Sequence, residues 1–336
     1  MSFKRVAIVG ATGAVGREFL RCLEELQFPL GEVRLLSSAR SKGQTIVFRN
    51  QSVVVEELGE QSFEGCDLAL FAASSEIARK FAPIAVKAGA LVVDNSSEFR
   101  MRPDVPLVVP EINPEAALRH KGIIANPNCS TIIAITPLWP IHKRNKIRRA
   151  IVSTYQAASG AGAEAMEELR ESTRAYLEGR DYPPKVLPHP YAFNLFSHNS
   201  KVDSKTLYNE EEMKMTLETS KIYGDDSIRV AATCVRVPVL RAHSEAITIT
   251  CEAPLSAADA RSLIQGAPGV EIVDDPEKNV FPMPVTTSGK FPILVGRIRQ
   301  DISDDTGHSV SLFVCGDQLL KGAALNAVQI AQLFVK

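Results

Sequence analysis

The residues with the clearest potential for chemistry lie in the stretch 126–131, Asn-Pro-Asn-Cys-Ser-Thr, which precedes the apolar run 132–135. The proline disfavours helix before it, and Asn128 can cap a helix that begins at Cys129. A thiol at a helix N-terminus meets a positive dipole end and unpaired N–H groups, which favour the thiolate that attacks carbonyls. The sequence therefore predicts a nucleophilic cysteine. The alternative is a small buried residue where strand meets helix.

Polar side chains near predicted strand ends could complete such a site. Gln156 ends a predicted strand and can donate and accept around a carbonyl, although a structural amide fits equally well. Arg236 lies on a strand pattern, and His243 lies in the segment 241–245, which separates that pattern from an alternating strand over 246–251. Of the six histidines, His243 is flanked by clear strands, whereas the others fall in polar loops or helix ends.

The first 28 residues have the pattern of a nucleotide-binding unit. A β-branched run over 5–9 leads into the glycine-rich turn 10–16, and apolar residues then recur at helical spacing. A strand, a glycine turn and an amphipathic helix open a Rossmann unit, in which helix N–H groups hold a pyrophosphate. A tight structural turn is the alternative.

The second predicted strand, 32–36, ends in a loop that contains Ser38, Arg40 and Ser41. An NAD-specific site would place Asp or Glu there to bind the ribose 2′-hydroxyl. The absence of an acidic residue beside Arg40 suits a 2′-phosphate, so the sequence favours NADP over NAD. An ordinary polar loop is the alternative. With a hydride cofactor, the thiolate, imidazole and arginine make the set that interconverts an aldehyde and an activated acid through a thioester.

Strand and helix patterns continue to alternate after this loop, with strands over 67–72 and 90–93 around a helix over 77–88. This alternation implies a parallel sheet. Ligands of such sheets lie beyond the carboxyl ends of the strands, where the polar segments 73–75 and 94–97 fall. In the second half, helices are predicted over 163–177 and 210–222, and 182–196 reads as an irregular covering loop.

The roles of three charged residues stay open at this level. Arg100 could hold an anion through two parallel hydrogen bonds, or could pair with Glu98 or Asp104. Glu218 and Lys221 share a face of a predicted helix at spacing i, i+3, which on its own favours a surface pair.

Length and composition limit the possible classes of protein. The 336 residues predict two domains, and a net charge of -1 provides no field for nucleic acid or an anionic membrane. The six cysteines are scattered, without metal-ligand or disulfide spacing. With no signal peptide and no uncharged apolar run of about 18 residues, we expect a cytoplasmic protein with small-molecule partners and no bound metal.

Six motifs follow one another along the sequence. They are GATGAVG at 10–16, SSEFRM at 96–101, NPNCSTI at 126–132, STYQAASGAG at 153–162, RVPVLRAHSEA at 236–246 and GDQLLKGAALNAVQIA at 316–331. They span nearly the whole chain in the order of the aspartate-β-semialdehyde dehydrogenase family, which the sequence closely resembles. Two positions depart from the family pattern: the loop 73–76, where many members have a glycine pair, and Ser197, where a proline is common.

The resemblance implies an α/β fold with a Rossmann-type parallel-sheet NADP domain over 1–128, joined by the C-terminal segment 317–336, which contains a helix over 318–334. An α+β catalytic and dimerisation domain with a mixed sheet would cover 129–316. The implied activity is NADPH-dependent reductive dephosphorylation of L-4-aspartyl phosphate to the semialdehyde, in lysine/diaminopimelate, methionine, threonine and isoleucine biosynthesis. The alternatives are an N-acetyl-γ-glutamyl-phosphate reductase-like enzyme and an idle NADP-binding paralogue. The retained Cys129 argues against the idle paralogue, and the contexts of Gln156 and Arg236 favour aspartate.

The resemblance also implies site residues and a homodimer. Cys129 would be the nucleophile, His243 the general acid/base, and Gln156 would position a substrate held by Arg236 and Glu218. The residues implied to bind phosphate are Arg100, Asn128 and Lys221. Those implied to contact NADP are Gly10, Thr12, Gly13, Ala14, Val15, Ser38, Arg40, Ser41, Ser159, Gly160 and Gln318.

Overall fold

The computed structural model describes residues 3–335. The chain forms two compact units. One takes in the chain up to Asn128 and again from Gly322 on, and the other is Cys129–Lys321. Among the described residues, no helix is long and apolar enough to cross a membrane, and no cluster of His, Cys, Asp or Glu could hold a metal ion.

The described residues of the first unit form a seven-stranded sheet in which one edge strand is antiparallel to its neighbour and the other strands are parallel. Its strands are β1 (Phe3–Val9), β2 (Leu30–Ser37), β3 (Thr45–Phe48), β4 (Gln51–Glu57), β5 (Leu68–Phe71), β6 (Leu91–Asp94) and β7 (Ile123–Ala125), in the order β3-β4-β2-β1-β5-β6-β7. The central strands bury their side chains on both faces, as the strands of a helix-covered parallel sheet do. The predicted parallel sheet is confirmed; the hairpin β3–β4 was not predicted.

Two helices of this unit follow strands of the sheet, α1 (Ala14–Glu25) and α2 (Ser75–Lys87). Gly10 has φ +82, and a Cβ there would lie 2.2 Å from the carbonyl oxygen of Ala72. The turn before α1 therefore needs glycine. The loop 73–76, which differs from the family pattern, has a local role. Within it the Ser74 hydroxyl caps α2 by accepting the N–H of Ile77 at 3.4 Å.

The described residues of the second unit form a mixed sheet, as the resemblance implies, and this sheet has seven strands. Its strands are β8 (Ile147–Gln156), β9 (Phe196–Ser197), β10 (Arg229–Arg236), β11 (His243–Cys251), β12 (Val270–Ile272), β13 (Ile293–Gln300) and β14 (Ser309–Gly316), in the order β12-β13-β14-β11-β8-β10-β9. Its helices are α3 (Cys129–Arg144), α4 (Ala163–Leu177), α5 (Glu210–Tyr223), α6 (Ala257–Ile264) and α7 (Pro284–Thr287).

Strand register brings four residues to one edge of this sheet. The parallel strands β8 and β10 end together, with Gln156 opposite Arg236. The antiparallel strands β11 and β14 place His243 opposite Gly316, and Ser244 lies opposite Tyr155 on β8. The candidate groups on β8, β10 and β11 are therefore neighbours because of the sheet.

Two boundaries differ from the sequence prediction. The segment 241–245 is not wholly a connection, because β11 begins at His243 and pairs with β8 and β14. The predicted C-terminal helix over 318–334 is also too long. A π-helical turn, Leu320–Ala324, precedes the helix α8 (Leu325–Gln332). The carboxylate of Asp317 accepts the N–H of Leu319 at 3.0 Å, and this local cap holds the chain out of helix at that point.

Candidate active site

Cys129 is the first residue of α3, as predicted, so its thiol lies among the N–H groups that have no partner within the helix. Of the six free cysteines, Cys129 is partly exposed, whereas the other five are buried. Exposure at a helix N-terminus is the setting of a reactive cysteine rather than a packing one. The alternative of a small buried residue is therefore not supported.

The side chain of Gln156 joins the start of α3 to the start of α5. Its Nε2 donates to the hydroxyl of Ser130 at 2.7 Å and to Oε1 of Glu211 at 3.0 Å. A carboxylate only accepts, so the amide nitrogen must face these two residues. Its buried Oε1 has no partner among residues 3–335. The amide therefore offers an acceptor next to the residue that follows Cys129.

The ring of His243 is fully buried, and its tautomer follows from a backbone contact. The N–H of Ala157 donates to Nδ1 at 3.0 Å, so the neutral ring carries its proton on Nε2. Nε2 has no partner within the described chain. Burial, and then the charge of Arg236, lower the pKa of His243 to about 3. The resting imidazole is therefore a neutral N–H donor, a form suited to hold an oxygen that becomes negative.

Arg236 is 4% exposed, and three acceptors fix its guanidinium. Nε lies 3.4 Å from Oδ1 of Asn199, Nη1 donates to the carbonyl of Ala157 at 3.2 Å, and Nη2 donates to Nε2 of His198 at 2.8 Å. A guanidinium has five N–H groups, so one remains on each terminal nitrogen. A carboxylate with two oxygens fits that pair of donors.

Gly160, which has no side chain, lies next to both the guanidinium of Arg236 and the ring of His243. A Cβ there would lie 3.0 Å from Nη1 of Arg236 and 3.0 Å from Cε1 of His243. The glycine is exposed and therefore leaves open the space beside the imidazole and the guanidinium.

Gln318 supports the residue before His243. Its Oε1 accepts the N–H of Ala242 at 3.0 Å, and its Nε2 donates to the hydroxyl of Ser159. Ala242 has φ +73, a conformation that residues other than glycine rarely adopt. These bonds hold a strained residue next to the imidazole. The predicted NADP contacts of Ser159, Gly160 and Gln318 stay predictions.

The charged pair on α5 is not a surface pair. Glu218 is 1% exposed and Lys221 is only partly exposed, so the surface pair that the i, i+3 spacing favours is wrong. Glu218 lies two turns after Glu211, on the same helix face and about 10 Å along the axis. The helix that contacts Gln156 through Glu211 therefore also carries Glu218 on that face.

The first unit contains the predicted nucleotide residues at the start of α1. The hydroxyl of Thr12 lies 2.9 Å from that of Ser37 and 3.3 Å from that of Ser41, so the loop after β2 contacts the glycine turn. Arg40 in this loop is exposed. The first turn of α1 has no acidic residue. These features fit a dinucleotide with a pyrophosphate at the helix and an extra phosphate at Arg40. The remaining predicted contacts, Gly10, Gly13, Ala14, Val15 and Ser38, fall in the same two turns.

Arg100 is 7% exposed and donates to the carbonyls of Asn126 at 3.0 Å and Asn95 at 2.7 Å. The two acidic residues weighed as its partners bind other arginines through two bonds each: Glu98 binds Arg79, and Asp104 binds Arg102. Asn128 is buried. The phosphate-binding role of Arg100 and Asn128 stays a prediction.

Two residues of the site were missed from sequence. Glu211 contacts Gln156, and His198 contacts Arg236. The sequence predicts that His198 lies in a polar loop, and Glu211 lies in an acidic run typical of an ordinary helix start. No local pattern marks either residue, because the strand that precedes His198 has only two residues, Phe196 and Ser197.

Comparison with known proteins agrees with this arrangement. Residues 5–120 match the family described as "Semialdehyde dehydrogenase, NAD binding domain", and residues 138–321 match "Semialdehyde dehydrogenase, dimerisation domain". The fold and these matches define an NAD(P)-dependent oxidoreductase of the semialdehyde dehydrogenase class.

Comparison with individual relatives identifies the family within this class. The chain is 53% identical to an aspartate-semialdehyde dehydrogenase of Synechocystis, with 99% of this chain and 97% of that one covered. It is 45% identical to that of Bacillus subtilis, covering 98% and 97%. The solved aspartate semialdehyde dehydrogenase II of Vibrio cholerae complexed with ASA has a TM-score of 0.96, 43% identity, and coverage of 100% and 98%. The chain belongs to the aspartate-semialdehyde dehydrogenase family.

Proposed function

We propose that this chain catalyses the NADPH-dependent reductive dephosphorylation of L-4-aspartyl phosphate to L-aspartate 4-semialdehyde, a step in lysine/diaminopimelate, methionine, threonine and isoleucine biosynthesis. One observation carries the proposal. Gln156 bonds to the neighbour of Cys129, and the next residue, Ala157, bonds to both His243 and Arg236. The residue that follows the proposed nucleophile Cys129, the ring of the proton donor His243 and the guanidinium of the carboxylate-binding Arg236 are thereby all linked by hydrogen bonds to the end of β8.

The first step forms a thioester. The Cys129 thiolate attacks the acyl carbon, the bond from that carbon to the phosphate oxygen breaks, and phosphate leaves with the electron pair. Arg100, Asn128 and Lys221 are the proposed phosphate ligands. When bound, NADPH supplies the hydride that reduces the thioester. Breaking the carbon–sulfur bond then releases the aldehyde and restores the thiolate.

His243 acts on the oxygen of the same carbon. Its Nε2–H donates to that oxygen, which carries negative charge in the tetrahedral states on either side of the thioester. Donation from a neutral ring stabilises this charge, so the proton of the predicted acid/base role is the one on Nε2. The acceptor of Gln156 orients the substrate beside it.

Arg236 and Glu218 hold the amino-acid end of the substrate. The two remaining N–H groups of Arg236 suit the substrate carboxylate, and the buried carboxylate of Glu218 suits its ammonium group. For the cofactor, the glycine turn and α1 suit the pyrophosphate, and Arg40 with Ser41 suits the 2′-phosphate. We further propose that Met1–Asn128 with the C-terminal segment binds the cofactor, and that the second unit forms a homodimer in the cytoplasm.

A spectrophotometric assay tests the function. We expect NADPH to form from L-aspartate semialdehyde plus phosphate, and not from N-acetylglutamate semialdehyde. Cys129→Ala should reduce turnover by several powers of ten, because the covalent route is lost. Cys66→Ala, a buried cysteine of the first unit, is the matched control. Normal phosphate-dependent turnover by Cys129→Ala would overturn the proposal.

A further inference from the structure

The shortest strand of the second sheet, β9, is followed directly by His198, whose ring contacts Arg236. The two residues of β9 pair with the end of β10, with Phe196 opposite Arg236. The backbone N–H of the next residue, His198, donates to the carbonyl of Cys234 at 2.8 Å. The ring that follows this edge strand therefore lies beside the guanidinium, with Nε2 2.8 Å from Nη2.

The chemistry of this contact fixes the form of His198. A guanidinium has no acceptor, so Nε2 must present its lone pair and the proton must lie on Nδ1. Nδ1 is 3.1 Å from the hydroxyl of Ser200, which also accepts the backbone N–H of Glu211 at 3.1 Å. The N–H of Ser200 lies 3.2 Å from Nδ1, but the shorter contact to Arg236 excludes a lone pair there. Burial is the main cause that lowers the pKa of His198 to about 4. Glu211 opposes this shift, and the charges of Arg236 and Lys214 contribute to it.

A neutral acceptor has a consequence for the arginine. Arg236 forms no ion pair with any residue from 3 to 335; its partners there are Asn199, a backbone carbonyl and His198. The carboxylate of Glu211 is bound instead by Gln156 and by Lys214 at 3.1 Å. A carboxylate at the place of His198 would hold the guanidinium but would also neutralise it, and would compete with an incoming anion.

We propose that His198 is a positioning residue: it orients the guanidinium of Arg236 toward the substrate carboxylate while leaving the positive charge available for that carboxylate. This inference rests on the proposed function. Turnover of the semialdehyde by the wild-type enzyme tests that function separately. A failure of the proposed function can therefore be told apart from a failure of the proposed role of His198.

The test compares His198→Leu, which removes the acceptor, with His198→Gln, whose amide oxygen can replace it. His198→Leu should raise KM for the semialdehyde at least about tenfold, equivalent to about 1.4 kcal/mol of binding. KM for phosphate and for NADP, and kcat, should change no more than about threefold. His198→Gln should recover most of the affinity, because it restores a neutral acceptor.

The matched control is His308→Gln, which changes a histidine that contacts the carbonyl of Cys251. It should leave all three KM values unchanged. If His198→Leu does not fold, the comparison of His198→Gln with His198→Asn carries the test, since the shorter amide cannot reach Arg236. A fall in kcat with unchanged KM for the semialdehyde, or an equal rise in every KM, would overturn the proposal.

Discussion

The amide nitrogen of Gln156 lies 3.0 Å from a carboxylate oxygen of Glu211, so an acidic residue at the start of α5 decides which way that amide faces. Glu211 is 4% exposed, and its carboxylate can accept hydrogen bonds but cannot donate them. The amide oxygen is consequently presented on the other side, where a substrate group would need it.

Glu211→Gln should lower kcat/KM for the semialdehyde roughly tenfold. The new amide can donate as well as accept, so Gln156 loses its fixed orientation and a bond to a charged group worth about 1.5–3 kcal/mol. Steady-state kinetics would measure the effect. Glu210→Gln, at the exposed preceding position of α5, should be silent. Equal losses in both variants would show that only helix charge matters.

Arg236→Lys should raise KM for the semialdehyde roughly 10- to 100-fold with a smaller change in kcat. A lysine ammonium cannot offer two parallel N–H groups while also bonding to His198. The control is Arg229→Lys, which changes the exposed first residue of the same strand. Unchanged KM for the semialdehyde in Arg236→Lys would remove this residue from the carboxylate site.

Arg40→Ala should raise KM for NADP about tenfold or more and leave KM for NAD nearly unchanged, because only NADP has the 2′-phosphate. Lys42→Ala changes an exposed basic residue of the same loop, whose ammonium pairs with Glu57 at 3.3 Å. We expect that variant to discriminate between the cofactors as the wild type does. A parallel rise for NAD and NADP in Arg40→Ala would point to loop damage instead.

Acid should destabilise the protein through two buried histidines. The pKa of His198 is lowered to about 4 and that of His243 to about 3, while both are near 6.5 in the unfolded chain. Below pH 6.5 the unfolded state therefore binds more protons, so stability falls as pH decreases. Between pH 7 and pH 5 each histidine should remove about 1–2 kcal/mol.

Denaturation of the wild type, His198→Gln and His243→Gln at pH 7 and pH 5 measures this contribution. Each variant should lose less stability on acidification than the wild type. The comparison must be made with the wild type, because burial raises the pKa of Glu245, which favours the folded state as pH falls. Identical acid sensitivity in all three proteins would contradict the neutral state of both rings.

Local patterns were sufficient for the elements that carry their own signals. The strand and glycine turn before α1, the start of α3 at Cys129 and the helix α4 all follow from neighbouring residues. The contacts of Gln156 with Glu211 and of Arg236 with His198 join residues 55 and 38 positions apart. Such pairs depend on sheet register, which periodicity does not report. His243 shows the same effect, since pairing with two strands extended β11 to include it.

The last part of the chain completes its first unit. Asn326 on α8 donates to the carbonyl of Val108 at 3.0 Å and to the side-chain oxygen of Asn126 at 2.7 Å. During synthesis, the ribosome releases the glycine turn and Arg40 long before Asn326. The first unit therefore cannot complete its folding, and part of its interior stays uncovered, until nearly three hundred further residues have been synthesised.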